Sequence, residues 1–109
     1  MGMTYIIGRD LDNPNALLST DVNSAADSYI SGLLSFTLEK KYPEIYEKIT
    51  EQVIFVRFDE LTKDEFILVE QEIDGVLLRS DLSENLQLGA RCWLELIKPI
   101  MDLDSRNKK

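Results

Sequence analysis

Apolar positions recur along this chain at two periods, and the change between them sets the predicted elements. Met3-Thr4-Tyr5-Ile6-Ile7-Gly8 is a short apolar run suited to a strand or a buried N-terminal segment. Arg9 to Asn15 is rich in turn formers, and Asn13-Pro14 marks a loop. From about Thr20 to Tyr42 the period becomes helical. Val22, Ala25, Ala26, Tyr29, Ile30, Leu33, Leu34, Phe36 and Thr37 share one broad face, and Ser24, Ser28, Ser31 and Ser35 lie opposite. Thr20 or Asp21 is the expected N-cap. Pro43 disfavours helical backbone at Tyr42, so the helix stops before it.

Pro43 suits the first position of a second helix, with Glu44 and Glu47 near its positive end and Ile45, Ile49 and Val53 as its apolar stripe. Residues 53–58, rich in β-branched and aromatic side chains, read either as a strand or as the end of that helix. Thr62-Lys63-Asp64-Glu65 is a capping box, in which hydroxyl and carboxylate each satisfy a free amide. It predicts a third helix from Lys63 to about Asp74 with Gly75 as C-cap. The rival reading is a hairpin over residues 66–79 turning at Asp74-Gly75. Ser80-Asp81 opens a last helix, burying Leu82, Leu86, Ala90, Trp93, Leu96, Ile97 and Ile100. Pro99 predicts a kink near Glu95 or a break at Lys98, because it removes a helical hydrogen bond. The sequence therefore predicts a mainly α single domain over 1–109, a bundle of about four helices. Residues 3–8 and 53–58 are available for a short strand pair, and the polar tail 105–109 is expected to fray.

Length and composition agree with this reading. A chain of 109 residues fits one domain, and 44% hydrophobic residues supply one core. Cys92 is the sole cysteine, which excludes an internal disulfide and points to a reducing, cytoplasmic setting. Beside Trp93 it reads as a buried structural thiol. No apolar run approaches a membrane span, and the N-terminus lacks the pattern of a signal peptide. Met1-Gly2-Met3 reads as a cloning remnant ahead of Met3 and not as a myristoylation signal.

Candidate chemistry is sparse. With no histidine the chain lacks the commonest general base, and with one cysteine it cannot build a thiolate zinc site. The five glycines never cluster into a phosphate loop, and residues 9–15 fail the pattern of a calcium loop. The expectation is a non-enzymatic protein without cofactor or metal.

Charge is the informative feature. Twelve basic and twenty acidic residues give a net charge of −8. That balance argues against nucleic acid as a partner and favours a basic protein. Between residues 59 and 84 stand Asp59, Glu60, Asp64, Glu65, Glu70, Glu72, Asp74, Asp81 and Glu84, opposed by Lys63 and Arg79 alone. Capping accounts for part of this, since Asp64 and Glu65 occupy a first helical turn. Glu70 and Asp74 fall within or beside the apolar arc, where an unpaired carboxylate is costly. Either Arg57, Arg79 or Arg91 pairs with them, or the arc is open to a partner. The candidate partner-binding residues are therefore Asp59, Glu60, Asp64, Glu70, Glu72, Asp74, Asp81 and Glu84.

The run Phe58-Asp59-Glu60-Leu61-Thr62-Lys63-Asp64-Glu65-Phe66 resembles a segment of small bacterial immunity proteins. It is similar in particular to those paired with toxins of contact-dependent growth inhibition systems. There a Leu-Thr-x-x-Glu-Phe box opens an interior helix. The resemblance covers nine residues of the chain. It implies a monomeric protein that binds a cognate toxin domain, often a nuclease, and covers its basic face. The rival functions are an acidic adaptor or oligomerisation module and a phage-type inhibitor that mimics DNA charge.

Overall fold

The computed structural model describes residues 2–10, 12–13, 15–52 and 55–107. Its architecture is mainly helical, with a three-stranded sheet in the order β2-β1-β3. β1 (Met3–Arg9) is central, which explains its unbroken run of apolar residues: Tyr5, Ile6 and Ile7 are all buried. It pairs antiparallel with β2 (Leu17–Val22) and parallel with β3 (Phe55–Arg57). The expected pairing of the 3–8 and 53–58 segments is thus present through residues 55–57, while Val53 and Ile54 lie outside the described residues.

β2 departs from the sequence reading, which assigned Thr20 to Val22 to the first helix. Its residues alternate between exposed and less exposed positions, as on an edge strand with one face on the core. Only Val22 is buried, so the strand offers few apolar positions from which to recognise it. The helix α1 (Ser24–Leu38) begins later, capped by the Asn23 side chain, which accepts from the Ala26 N–H at 2.8 Å. Ala26, Ile30, Leu33, Leu34, Thr37 and Leu38 form its buried face. Phe36, expected on that face, is exposed.

α2 (Pro43–Thr50) starts at its proline as expected and buries Ile45 and Ile49. Both bonds of the capping box at Thr62 are formed, and α3 (Lys63–Leu77) is a helix and not a hairpin. It runs through Gly75 and is capped at Leu78, because Phe66, Val69, Ile73 and the partly buried Val76 and Leu77 hold its inner face on the core. α4 (Glu84–Cys92) opens at Ser83, whose hydroxyl accepts from Leu86, and not at Ser80-Asp81.

Pro99 does not break the helix at Lys98, where helical backbone continues, and the disruption expected near Glu95 takes the form of a wider turn. Residues Trp93–Ile97 form a π turn, in which the Lys98 N–H reaches the Trp93 carbonyl five residues back. The wider turn accommodates the missing proline N–H before the helix resumes as α5 (Lys98–Met101). Trp93, Ile97 and Met101 are buried, while Leu82, Leu86, Ala90, Leu96 and Ile100 are half-buried. Cys92 is a half-buried free thiol.

The core joins sheet and helices. The Phe58 and Trp93 rings meet edge to face at 5.8 Å. α1 and α4 approach closely at Gly89, where a Cβ would lie 2.5 Å from the Tyr29 carbonyl oxygen.

The expected frayed tail is corrected over residues 105–107, which form a 3-10 turn. Arg106 donates to the Phe58 and Leu61 carbonyls at 2.8 and 2.7 Å and to the Ile7 carbonyl at 2.6 Å. Its guanidinium lies 4.2 Å from the Phe66 ring centre and clasps the buried Asp104. Ile7 is the extra residue of a β-bulge in the β1–β2 register, so its carbonyl is satisfied from the tail. Lys108 and Lys109 lie outside the described residues.

Candidate functional site

The acidic segment is distributed by α3 and the turns that flank it. At the start of the helix, Glu65 is absorbed by the local structure. Its carboxylate accepts from the Thr62 N–H at 2.9 Å and from Lys48 at 3.0 Å, and these bonds, the backbone one foremost, hold it below the usual carboxylate range. Asp64 beside it is exposed.

Glu70 and Asp74, one helical turn apart, face α5. Both receive Lys98, at 3.2 and 3.4 Å, and Asp102 approaches the same ammonium at 3.8 Å. Glu70 is largely covered, with 13% of its side chain exposed, whereas Asp74 and Asp102 are open at 48% and 57%. Burial works to lower the Lys98 pKa, but the Glu70 hydrogen bond and the three carboxylates outweigh it and hold the ammonium above its ordinary range. Lys98 thus pairs with both Glu70 and Asp74, where the sequence suggested Arg57, Arg79 or Arg91. With Asp102 it contacts three carboxylates at once.

The other candidate carboxylates lie elsewhere. Asp59 forms a two-bond pair with Arg57 at 3.0 and 2.6 Å, and that hydrogen bonding lowers its pKa. Glu60 reaches the same guanidinium at 3.8 Å. Glu72 turns toward α1 and meets Lys41 at 3.1 Å. Asp81 is paired with Arg79 at 2.7 Å on an exposed turn. Glu84 is exposed in the first turn of α4. For Asp64 and Glu84 no ion pair occurs among the described residues.

Six of the eight candidates therefore contact a cation of this chain. The structure gathers Glu70 and Asp74, adds Asp102, and sends Glu72 to the opposite flank of the helix. Sequence reasoning missed Lys98 and Asp102. Their spacing of four residues was legible as a local ion pair, but only packing shows that Lys98 also faces α3.

An exposed pair such as Arg79–Asp81 contributes about 0–1 kcal/mol and is readily exchanged, whereas Lys98–Glu70 is largely covered and belongs to the folded structure. The arrangement suits reversible recognition of positive charge. Among the described residues no group of side chains could hold a metal ion, and no helix is long and apolar enough to cross a membrane. Comparison with known proteins finds no matching family model, no matching curated protein and no matching solved structure.

Proposed function

We propose that this protein acts by stoichiometric binding to a basic protein, covering its cationic face in the manner of a bacterial immunity protein that neutralises a toxin nuclease. The observation that carries this reading is the cluster of carboxylates gathered around Lys98. Glu70, Asp74 and Asp102 share its single ammonium, and two of the three are about half open to solvent. An arginine or lysine from a partner would approach Asp74 and Asp102 from solvent without displacing buried structure. Exposed Asp64 and Glu84 add to the net negative charge that draws such a partner.

The test pairs cell survival with affinity. Cells producing a basic nuclease toxin domain should survive when they also produce the protein. The purified pair should bind as a one-to-one complex whose affinity falls with added salt. The double variant Asp74→Lys/Asp102→Lys should remain folded, since both side chains are exposed, and should weaken binding by about tenfold or more. Unchanged affinity in that variant would remove the Lys98 cluster from the interface. Failure to protect against any of a panel of basic nuclease toxins would remove the inhibitor reading.

A further inference from the structure

Beyond the C-terminal end of α3 the surface changes character. Large apolar side chains standing singly on a surface are ordinary, but contiguous ones are not. Phe36, Leu78 and Leu94 are 45%, 88% and 51% exposed, and all three lie around Arg79. The Arg79 guanidinium lies 5.2 Å from the Phe36 ring centre, and Leu78 precedes it in the chain. Arg79 lines two shallow grooves at once. One, of about 390 Å³, runs between α1 and α3 past Phe36, Lys40, Lys41 and Gly75. The other, of about 330 Å³, runs between the end of α3 and α4 past Leu77, Leu82, Arg91 and Leu94.

The charge here differs from that of the molecule as a whole: cations slightly outnumber carboxylates, with Lys41 and Arg79 paired to Glu72 and Asp81 and Lys40 and Arg91 beside them. Lys40, Lys41, Arg79 and Arg91 ring this surface, with Glu72, Asp81 and Glu95 as the acidic side chains among or beside them. A third of the chain's twelve cations thus border one patch of exposed leucine and phenylalanine. No carboxylate of the Lys98 cluster lines it.

From this conjunction we propose that the Arg79-centred face docks an acidic, leucine-bearing helical segment of a protein partner. Apolar side chains on one face of that helix would enter the two grooves on either side of Arg79, and its carboxylates would meet the surrounding cations. This recognition mode is a helix laid in a groove. The inference does not depend on the inhibitor role, since it concerns different residues and a partner of the opposite charge.

The test uses the whole protein, labelled with ¹⁵N, and a synthetic amphipathic helical peptide with leucine on one face and glutamate on the other. Two control peptides replace leucine by glutamine or glutamate by lysine. Saturable amide shifts confined to residues 36–41, 75–82 and 87–95 are expected with the first peptide alone. Leu78→Asp and the double variant Arg79→Glu/Arg91→Glu should each weaken binding by about tenfold or more, and circular dichroism should show both still folded. The proposal is overturned if the leucine–glutamate peptide produces no shifts, or if the lysine peptide binds equally well. Shifts elsewhere on the molecule would also overturn it. So would a dimer in light scattering that Leu78→Asp dissociates, which would make a second copy the occupant.

Discussion

Arg106 is the residue on which most separate parts of the fold converge. It satisfies carbonyls from β1 and from the segment that leads into α3, stacks on Phe66, and neutralises a carboxylate with no exposed surface. Removing it strands all of these groups together. Arg106→Ala should destabilise the protein by roughly 3–5 kcal/mol, read as a shift of the urea midpoint, because a buried charge loses its partner. Two helical glycines should respond oppositely to alanine. Gly89→Ala forces a methyl group against the Tyr29 carbonyl and should destabilise. Gly32→Ala meets nothing within 4 Å and should stabilise by about 0.5–1 kcal/mol in the same measurement. A glycine in a sequence does not say which of these it is; the neighbouring helix decides.

At the scale of elements, what could be read early was whatever short-range chemistry fixes. The α3 N-terminus was legible because Thr62 and Glu65 satisfy each other's amides across three residues. Thr62→Ala should cost about 1 kcal/mol in thermal or urea unfolding, without changing the fold. The start of α2 was legible for a similar reason, since Pro43 fits a first turn and little else. β2 was not. Its ladder partners lie on β1, from Met3↔Val22 to Arg9↔Leu17, and nothing within Leu17–Val22 announces them. The consequence of Pro99 was foreseen as a disruption, but its form was not. A kink, a break and a π turn all tolerate a missing N–H, and the turn chosen is the one that keeps Trp93, Ile97 and Met101 in the core.

For the molecule as a whole, its ion pairs and its buried phenol set how stability varies with pH. Asp59 and Glu65 have carboxyl pKa values below their ordinary range. Their contribution is therefore present above about pH 4 and is lost as pH falls through the lowered values. Tyr5 is fully buried and donates to Asp27 at 2.9 Å, and burial first, then that hydrogen bond, raises its phenol pKa. Its contribution is complete below the unfolded value of about 10 and is lost as pH rises above it. Urea midpoints measured across pH should be flat between about pH 5 and 9 and fall on both sides. Tyr5→Phe should reduce the alkaline fall and leave the acid fall in place. A variant that loses the acid limb instead would refute the assignment.

The sequence alone determined the predominance of helix, an apolar run at residues 3–8 suited to a strand, the cap at Thr62, the first turn at Pro43, and a net charge of −8 with its acidic run. Each depends on residue type and spacing, which act over a few bonds or a single turn. Only the tertiary structure decided where those charges point. It drew Glu70, Asp74 and Asp102 around Lys98, sent Glu72 across to Lys41, and left Leu78 and Leu94 open beside Arg79. It also turned the polar tail inward through Arg106. Coulombic and packing partners are set by distance in space, and Lys41–Glu72, Glu70–Lys98 and Ile7–Arg106 stand 31, 28 and 99 positions apart along the chain.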